Sequence, residues 1–169
     1  MSARPPHRIF LGKDSHRFSS AHMTVYKDGT KERLHGHNFQ VSVALDLRDT
    51  SFAALLDFGV VKEAVAAQCR EWDEKLILAE RCPYMKILSR RAGDNGELEF
   101  LLCGRRYVVP IDEVVFLPIE NVIVETLAIE FARALLVKMG QSLRKEIVAG
   151  LEVSVAESTG QGGSYYLVL

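Results

Sequence analysis

Residues 35 to 47 read HGHNFQVSVALDL, in which Phe39, Val41, Val43, Leu45 and Leu47 alternate with more polar neighbours. Period two is the repeat of a strand with one buried face, and this run predicts the clearest strand in the chain. Upstream, Ile9 to Met23 predicts two extended pieces separated by GKDSHR, and Asp28-Gly29 within VYKDGTKER predicts a turn. After Asp57 the period lengthens. Val61, Ala64, Val65, Cys69 and Trp72 share one face of a helix predicted over 60–72, with Asp57 at its N-cap. A second helix is predicted from about Asn121 to Met139, closed by Gly140, with Leu127, Phe131 and Leu135 towards the sheet. LEVSVAE and SYYLVL predict two closing strands around a glycine-rich turn. The less regular stretch between the helices holds a hairpin, with ELEFLL and RYVV on either side of Cys103-Gly104.

Strands therefore come in runs rather than in strict alternation with helices. The fold class is α+β, an antiparallel sheet with two helices on one face. The 169 residues match one ordinary domain. Residues 1–8, rich in Arg and Pro, predict a loose arm.

Charge narrows the function classes. With 21 Lys+Arg against 22 Asp+Glu, the chain lacks the basic surplus that nucleic acid or an anionic membrane demands. No stretch approaches the ~20 apolar residues of a membrane span, and MSARPPHRIFLG has no apolar signal-peptide core. Cytoplasm is the expected location. Cys69, Cys82 and Cys103 are odd in number and widely spaced, which excludes a disulfide framework or a CxxC metal site as the main plan.

The histidines are the sharpest chemical signal. His35 and His37 stand two apart on the predicted strand, so both rings project to one side and can share an ion. His22, on a neighbouring strand, supplies a third nitrogen. Three protein ligands leave zinc's fourth position open, the catalytic rather than the structural arrangement.

FSSAH, then LHGHNF, LLDFG and a late AES keep the order and spacing of the 6-pyruvoyltetrahydropterin and 6-carboxytetrahydropterin synthases, and the chain resembles that family from about Phe18 to its C-terminus. The resemblance implies a tunnelling fold: a four-stranded antiparallel sheet carrying two helices, here with an inserted hairpin within a divergent stretch of about residues 79–118. It implies homo-oligomers, trimers that stack into hexamers, with active sites between subunits. It implies zinc on His22, His35 and His37, and a reduced pterin as the small-molecule substrate. Glu157 matches the family's pterin anchor, where a carboxylate accepts two hydrogen bonds from the amidine edge of the ring. Glu125 matches a second glutamate, although Ile123 replaces its accompanying threonine.

Two motif positions depart from the family. Lys31 stands where a cysteine precedes the first histidine of HGH by four residues, and in WDEKLIL the family's Asp-His pair becomes Asp73-Glu74. Glu32 instead gives the pattern ExxHGH, which resembles a branch with dihydroneopterin-aldolase-type activity. The expected catalytic groups are thus Glu32, with Asp73 and Glu74 as lesser candidates. The expected function is a zinc-dependent lyase acting on the side chain of dihydroneopterin or its phosphates, with aldolase-type cleavage preferred over 6-pyruvoyl- or 6-carboxytetrahydropterin synthesis. A non-catalytic pterin-binding protein and a structural zinc protein are the competing readings.

Overall fold

Residue 5, residues 7–93 and residues 95–169 are described by the structure, a computed structural model. Among the described residues, nine strands and two α-helices follow in the order β1 (His7–His22), β2 (His35–Leu47), α1 (Phe58–Trp72), β3 (Lys75–Ala79), β4 (Met85–Arg90), β5 (Glu97–Leu102), β6 (Arg105–Pro110), β7 (Val114–Leu117), α2 (Val124–Met139), β8 (Val148–Ser158) and β9 (Gln161–Val168).

The main sheet has six strands in the order β7-β3-β1-β2-β8-β9. Its four long strands, β1, β2, β8 and β9, pair antiparallel and form the expected four-stranded unit. The sheet as a whole is mixed, because β3 runs parallel to β1 and β7 parallel to β3. The expectation missed both short strands. KLILA is buried over Leu76–Ala79, and a strand buried on both faces shows no alternation to detect. The inserted segment is likewise larger than a hairpin: β4, β5 and β6 form a separate antiparallel sheet. The hairpin itself lies where the sequence places it, with Leu102 opposite Arg105 across Cys103 and Gly104. Both turn residues have positive φ, 50° and 73°, the pattern of a tight hairpin turn.

β1 is one long strand rather than two pieces, interrupted by a register shift between Gly12 and Arg17. His7 and Arg8 belong to it. The Arg8 guanidinium grips the buried Asp46 carboxylate on β2 at 2.7 and 3.2 Å. The rest of the expected arm, residues 1–4 and 6, lies outside the described residues.

Both helices form for the reasons read from the sequence. Asp57 accepts a hydrogen bond from the Gly59 N–H at 2.7 Å and caps α1. α2 starts later than expected, at Val124. The Thr126 hydroxyl donates to the Asn121 carbonyl at 2.7 Å, and the segment 121–123 stays extended ahead of the helix. Leu127, Phe131 and Leu135 are fully buried, as the helical spacing requires. Phe131, Phe18, Phe39 and Trp72 meet in one aromatic cluster with ring centroids 5.0–6.5 Å apart, which locks both helices onto the ends of β1 and β2 that carry the histidines.

Candidate functional site

His22 ends β1 and His35 begins β2, and the antiparallel register sets them directly opposite each other. His37 follows two residues on and projects to the same side. The three rings lie with centroids 4.6, 4.9 and 5.3 Å apart, and one ligand nitrogen from each falls within 4.8 Å of the others.

The donor set fits a divalent metal. Two rings are held by their inner nitrogens: His22 Nδ1 lies 3.2 Å from the Val122 carbonyl oxygen and His35 Nδ1 lies 2.8 Å from that of Arg33. A proton on Nδ1 leaves the Nε2 lone pair free for an ion. His22 Nε2 is in fact buried without a hydrogen-bond partner, an orphaned acceptor of the kind a metal satisfies. Burial pushes the His22 imidazole below its ordinary pKa, partly opposed by the Val122 carbonyl, and so favours the neutral form that ligates.

The three histidines, Thr24, Glu32, Ile123, Val124, Glu125 and Glu157 line a cavity of about 320 Å³. Glu32 Oε2 is 3.9 Å from His35 Nε2, and Glu157 Oε2 is 3.8 Å from His37 Nε2. The two carboxylates thus flank the triad from two sides. Hydrogen bonds from Thr24 and Tyr26 hold the Glu32 carboxyl below the usual range against the opposing effect of burial, with the Tyr26 hydroxyl at 3.2 Å. Glu157 accepts from the Gln161 amide across the β8–β9 turn. Glu125 sits in the first turn of α2, where the helix dipole favours a carboxylate. Its backbone is met by Gly163: a Cβ there would lie 3.1 Å from the Glu125 nitrogen.

Asp73 and Glu74 are not brought to this cavity within the chain. Asp73 Oδ1 accepts from the Ser19 N–H at 2.7 Å, and the Glu74 N–H donates to the Ser19 carbonyl at 2.7 Å. The Asp73 carboxylate and the Glu74 backbone N–H thereby join the end of α1 to β1. Glu74 lines a neighbouring cavity of about 470 Å³, which it shares with His37. The cysteines offer no thiolate in the triad's cavity. Burial pushes the Cys69 thiol up to about 12, and the Cys103 thiol is raised by the same cause.

Sequence reasoning passed over the residues that hold the site in place. Asn121 bridges the Val25 backbone in both directions, its Oδ1 accepting from the N–H and its Nδ2 donating to the carbonyl, each at 2.9 Å. It thereby fixes the segment whose Val122 carbonyl orients His22. The only sequence cue was an asparagine just before a helix, which reads as a cap.

A model of the family described as 6-pyruvoyl tetrahydropterin synthase matches residues 12–167. The chain belongs to this family of pterin-metabolising lyases. It is similar to a putative 6-carboxy-5,6,7,8-tetrahydropterin synthase of Methanocaldococcus jannaschii, 34% identical over 150 residues and 88% of each chain. A probable enzyme of the same name from Halobacterium salinarum is 31% identical over 94 residues, 55% of this chain and 59% of the other. Among solved structures, the 6-pyruvoyl tetrahydropterin synthase of Plasmodium falciparum superposes with a TM-score of 0.83 at 26% identity, covering 96% of this chain and 98% of the other. The Plasmodium vivax synthase does so with a TM-score of 0.85 at 23% identity and the same coverage, a likeness of fold alone. The tunnelling fold is thereby established, with its sheet extended from four strands to six.

Proposed function

We propose that this protein is a zinc-dependent lyase of the tetrahydropterin synthase type, acting on the hydroxylated side chain of a reduced pterin. The observation that carries the reading is the convergence of His22, His35 and His37 with two carboxylates, Glu32 and Glu157, on one cavity. Its occurrence in a member of this family directs the pair of carboxylates to a pterin. The aldolase-type activity expected from the ExxHGH pattern gives way to the synthase reading, since both curated relatives carry the synthase name.

Zinc on the three histidines would supply a Lewis acid that polarises the side-chain hydroxyls and lowers their pKa. The remaining roles fall to the protein. Glu157 accepts the paired N–H donors of the pterin edge and fixes the ring. Glu125, across the cavity, narrows the entry of the ring from the α2 side. Glu32, ionised at neutral pH because Thr24 and Tyr26 stabilise its carboxylate, accepts the proton of a side-chain hydroxyl. Its lowered pKa keeps it in the base form at the cost of some basic strength.

The relatives' name also bears on the bond that breaks. A 6-carboxy product keeps one side-chain carbon, so its formation from a three-carbon side chain severs the C1'–C2' bond. Reaching the carboxyl level at C1' requires electrons to pass from C1' to the dihydropterin ring and the departing side-chain carbons, and a water oxygen to enter at C1'. Glu32, beside the triad, is the base for the proton transfers of that rearrangement in a chain that lacks the family's cysteine.

The outermost strands of the sheet, β7 and β9, each have one neighbour within the chain. Closure of these edges against further copies, in a trimer or hexamer, is part of this reading.

Incubation of the zinc-loaded protein with dihydroneopterin and with its triphosphate, followed by chromatography, tests the proposal. A 6-carboxy- or 6-pyruvoyl-tetrahydropterin is the expected product. A 6-hydroxymethyl product would restore the aldolase-type reading, and pterin binding without any product would reduce the protein to a binder.

A further inference from the structure

Glu157 does not stand alone on its strand. In the pairing of β8 with β9, Ala156 lies opposite Gly162 and Ser158 opposite Gln161, so Glu157 is the extra residue of a β-bulge. A bulge re-aims the side chain of its extra residue, and here the Glu157 carboxylate stands 3.8 Å from His37 Nε2. The chain then reverses through Gly160, at a φ of 79°, a conformation that suits glycine. The reversal returns Gln161, the first residue of β9, to the side of Glu157. The Gln161 side-chain amide donates to Glu157 Oε1.

Chemistry fixes the orientation of that amide. A carboxylate only accepts, so the group that meets it is the Nε2 amino group and not the carbonyl. A carboxamide carries two N–H donors. Glu157 takes one, and Gln161 is exposed, which leaves the second for a ligand. The two side chains therefore present three groups in a row: the Oε2 and Oε1 acceptors of Glu157, then the Nε2 donor of Gln161. The edge of a pterin presents the complement: the 2-amino and N3 donors, then the C4 carbonyl acceptor. Glu157 alone accepts any ring with two adjacent N–H donors. A 2,4-diaminopteridine protonated at N1 offers such a pair as well. A donor beside the carboxylate supplies the missing discrimination, because a polar group left without its partner costs more than a matched one contributes.

We propose that Gln161 is a specificity-determining residue of the ring site, donating its second N–H to the C4 oxygen of a 2-amino-4-oxo pteridine while Glu157 takes the 2-amino and N3 protons. The inference deepens the function proposed above and rests on its placement of the pterin edge at Glu157.

Equilibrium fluorescence titration of the zinc-loaded protein with neopterin and with its 2,4-diamino counterpart tests the assignment. The oxidised ring of neopterin keeps the 2-amino-4-oxo edge, whereas the diamino ring offers Gln161 no C4 acceptor in either orientation. The ratio of neopterin affinity to diamino affinity should fall about threefold to tenfold in Gln161→Leu and in Gln161→Glu, the scale of one lost hydrogen bond. Zinc content and melting temperature should stay at their wild-type values. One variant replaces the donor with an apolar group and the other with an acceptor, so a shared loss points to the donor itself. An unchanged ratio in both variants would overturn the proposal; if both affinities fell equally, Gln161 would only brace Glu157. A Gln161-dependent ratio in a protein that forms no pterin product would sink the lyase function while leaving the inference standing. Failure of the wild type to bind either pteridine would remove both.

Discussion

A Cβ built on Gly36 would lie 3.0 Å from the carbonyl oxygen of Ser20. The glycine of HGH therefore does more than separate two histidines. It lets β2 approach β1 closely enough to set His35 opposite His22. Gly36→Val should push the strands apart where the triad forms. The expected cost is about 1–3 kcal/mol of stability, the usual range for forcing atoms into a packed site, with zinc content falling in parallel. Denaturant melts and metal analysis check it, and a Gly36→Val protein with full zinc would dissolve the link.

Removal of any one ligand should abolish the metal site. His35→Ala or His37→Ala leaves two nitrogens, a poor zinc site, so bound zinc and activity should both disappear. Chelation of the wild-type protein should lower its melting temperature, because a ligand that binds only the folded state stabilises it by mass action. Full zinc occupancy in both alanine variants would refute the ligand assignment.

Glu32→Gln should retain zinc and pterin binding and lose about 10²-fold or more in kcat, the scale of general-base catalysis. Near wild-type kcat would transfer the role to Asp73 or Glu74 supplied by a neighbouring subunit. The reach of Glu74 into the cavity that also contains His37 makes it the first to examine.

Glu157→Gln should weaken pterin affinity by about 1.5–3 kcal/mol while zinc content stays normal, since an acceptor oxygen becomes a donor facing the pterin's own donors. Equilibrium fluorescence titration of the pterin measures this. Unaltered affinity would remove Glu157 from the ring-binding role.

His16 gives a pH dependence of stability. Its ring is buried, with Nδ1 unpartnered, and burial, aided by Lys13, lowers its pKa from 6.5. Above pH 6.5 the ring is neutral in both folded and unfolded chains and adds no slope. Below it the unfolded chain takes up the proton first, so stability falls with pH until the folded ring also protonates, at up to about 1.4 kcal/mol per pH unit. His16→Gln should flatten urea-melt stability between pH 7 and pH 5 relative to the wild type. Equal slopes would exonerate His16.

The elements with a clean period were legible in the sequence. β2, α1 and the buried face of α2 follow from spacing, and Asp57 caps α1 as its position suggested. The triad followed from two residues on one strand and one on its neighbour. β3 was not legible because a short strand buried within a sheet looks like any apolar run, and β7 because four residues at the sheet's edge are too few to show a period; the parallel pairing of both depends on residues far apart in the chain. Asp73 and Glu74 occupied suggestive motif positions, and within the chain the Asp73 carboxylate and the Glu74 backbone N–H join α1 to β1 outside the triad's cavity. The supports of the site, Asn121 and the Val122 carbonyl, act across about a hundred residues of sequence separation, a distance over which no local pattern speaks.

The double hydrogen bond of Asn121 to Val25 has a kinetic corollary. One amide side chain joins the segment that leads to Glu32 with the segment that orients His22. Detaching either segment breaks both of these bonds, which couples the opening of the two. Amide exchange at Val25 and Glu32 would proceed at one shared rate, slowed alike when metal is bound.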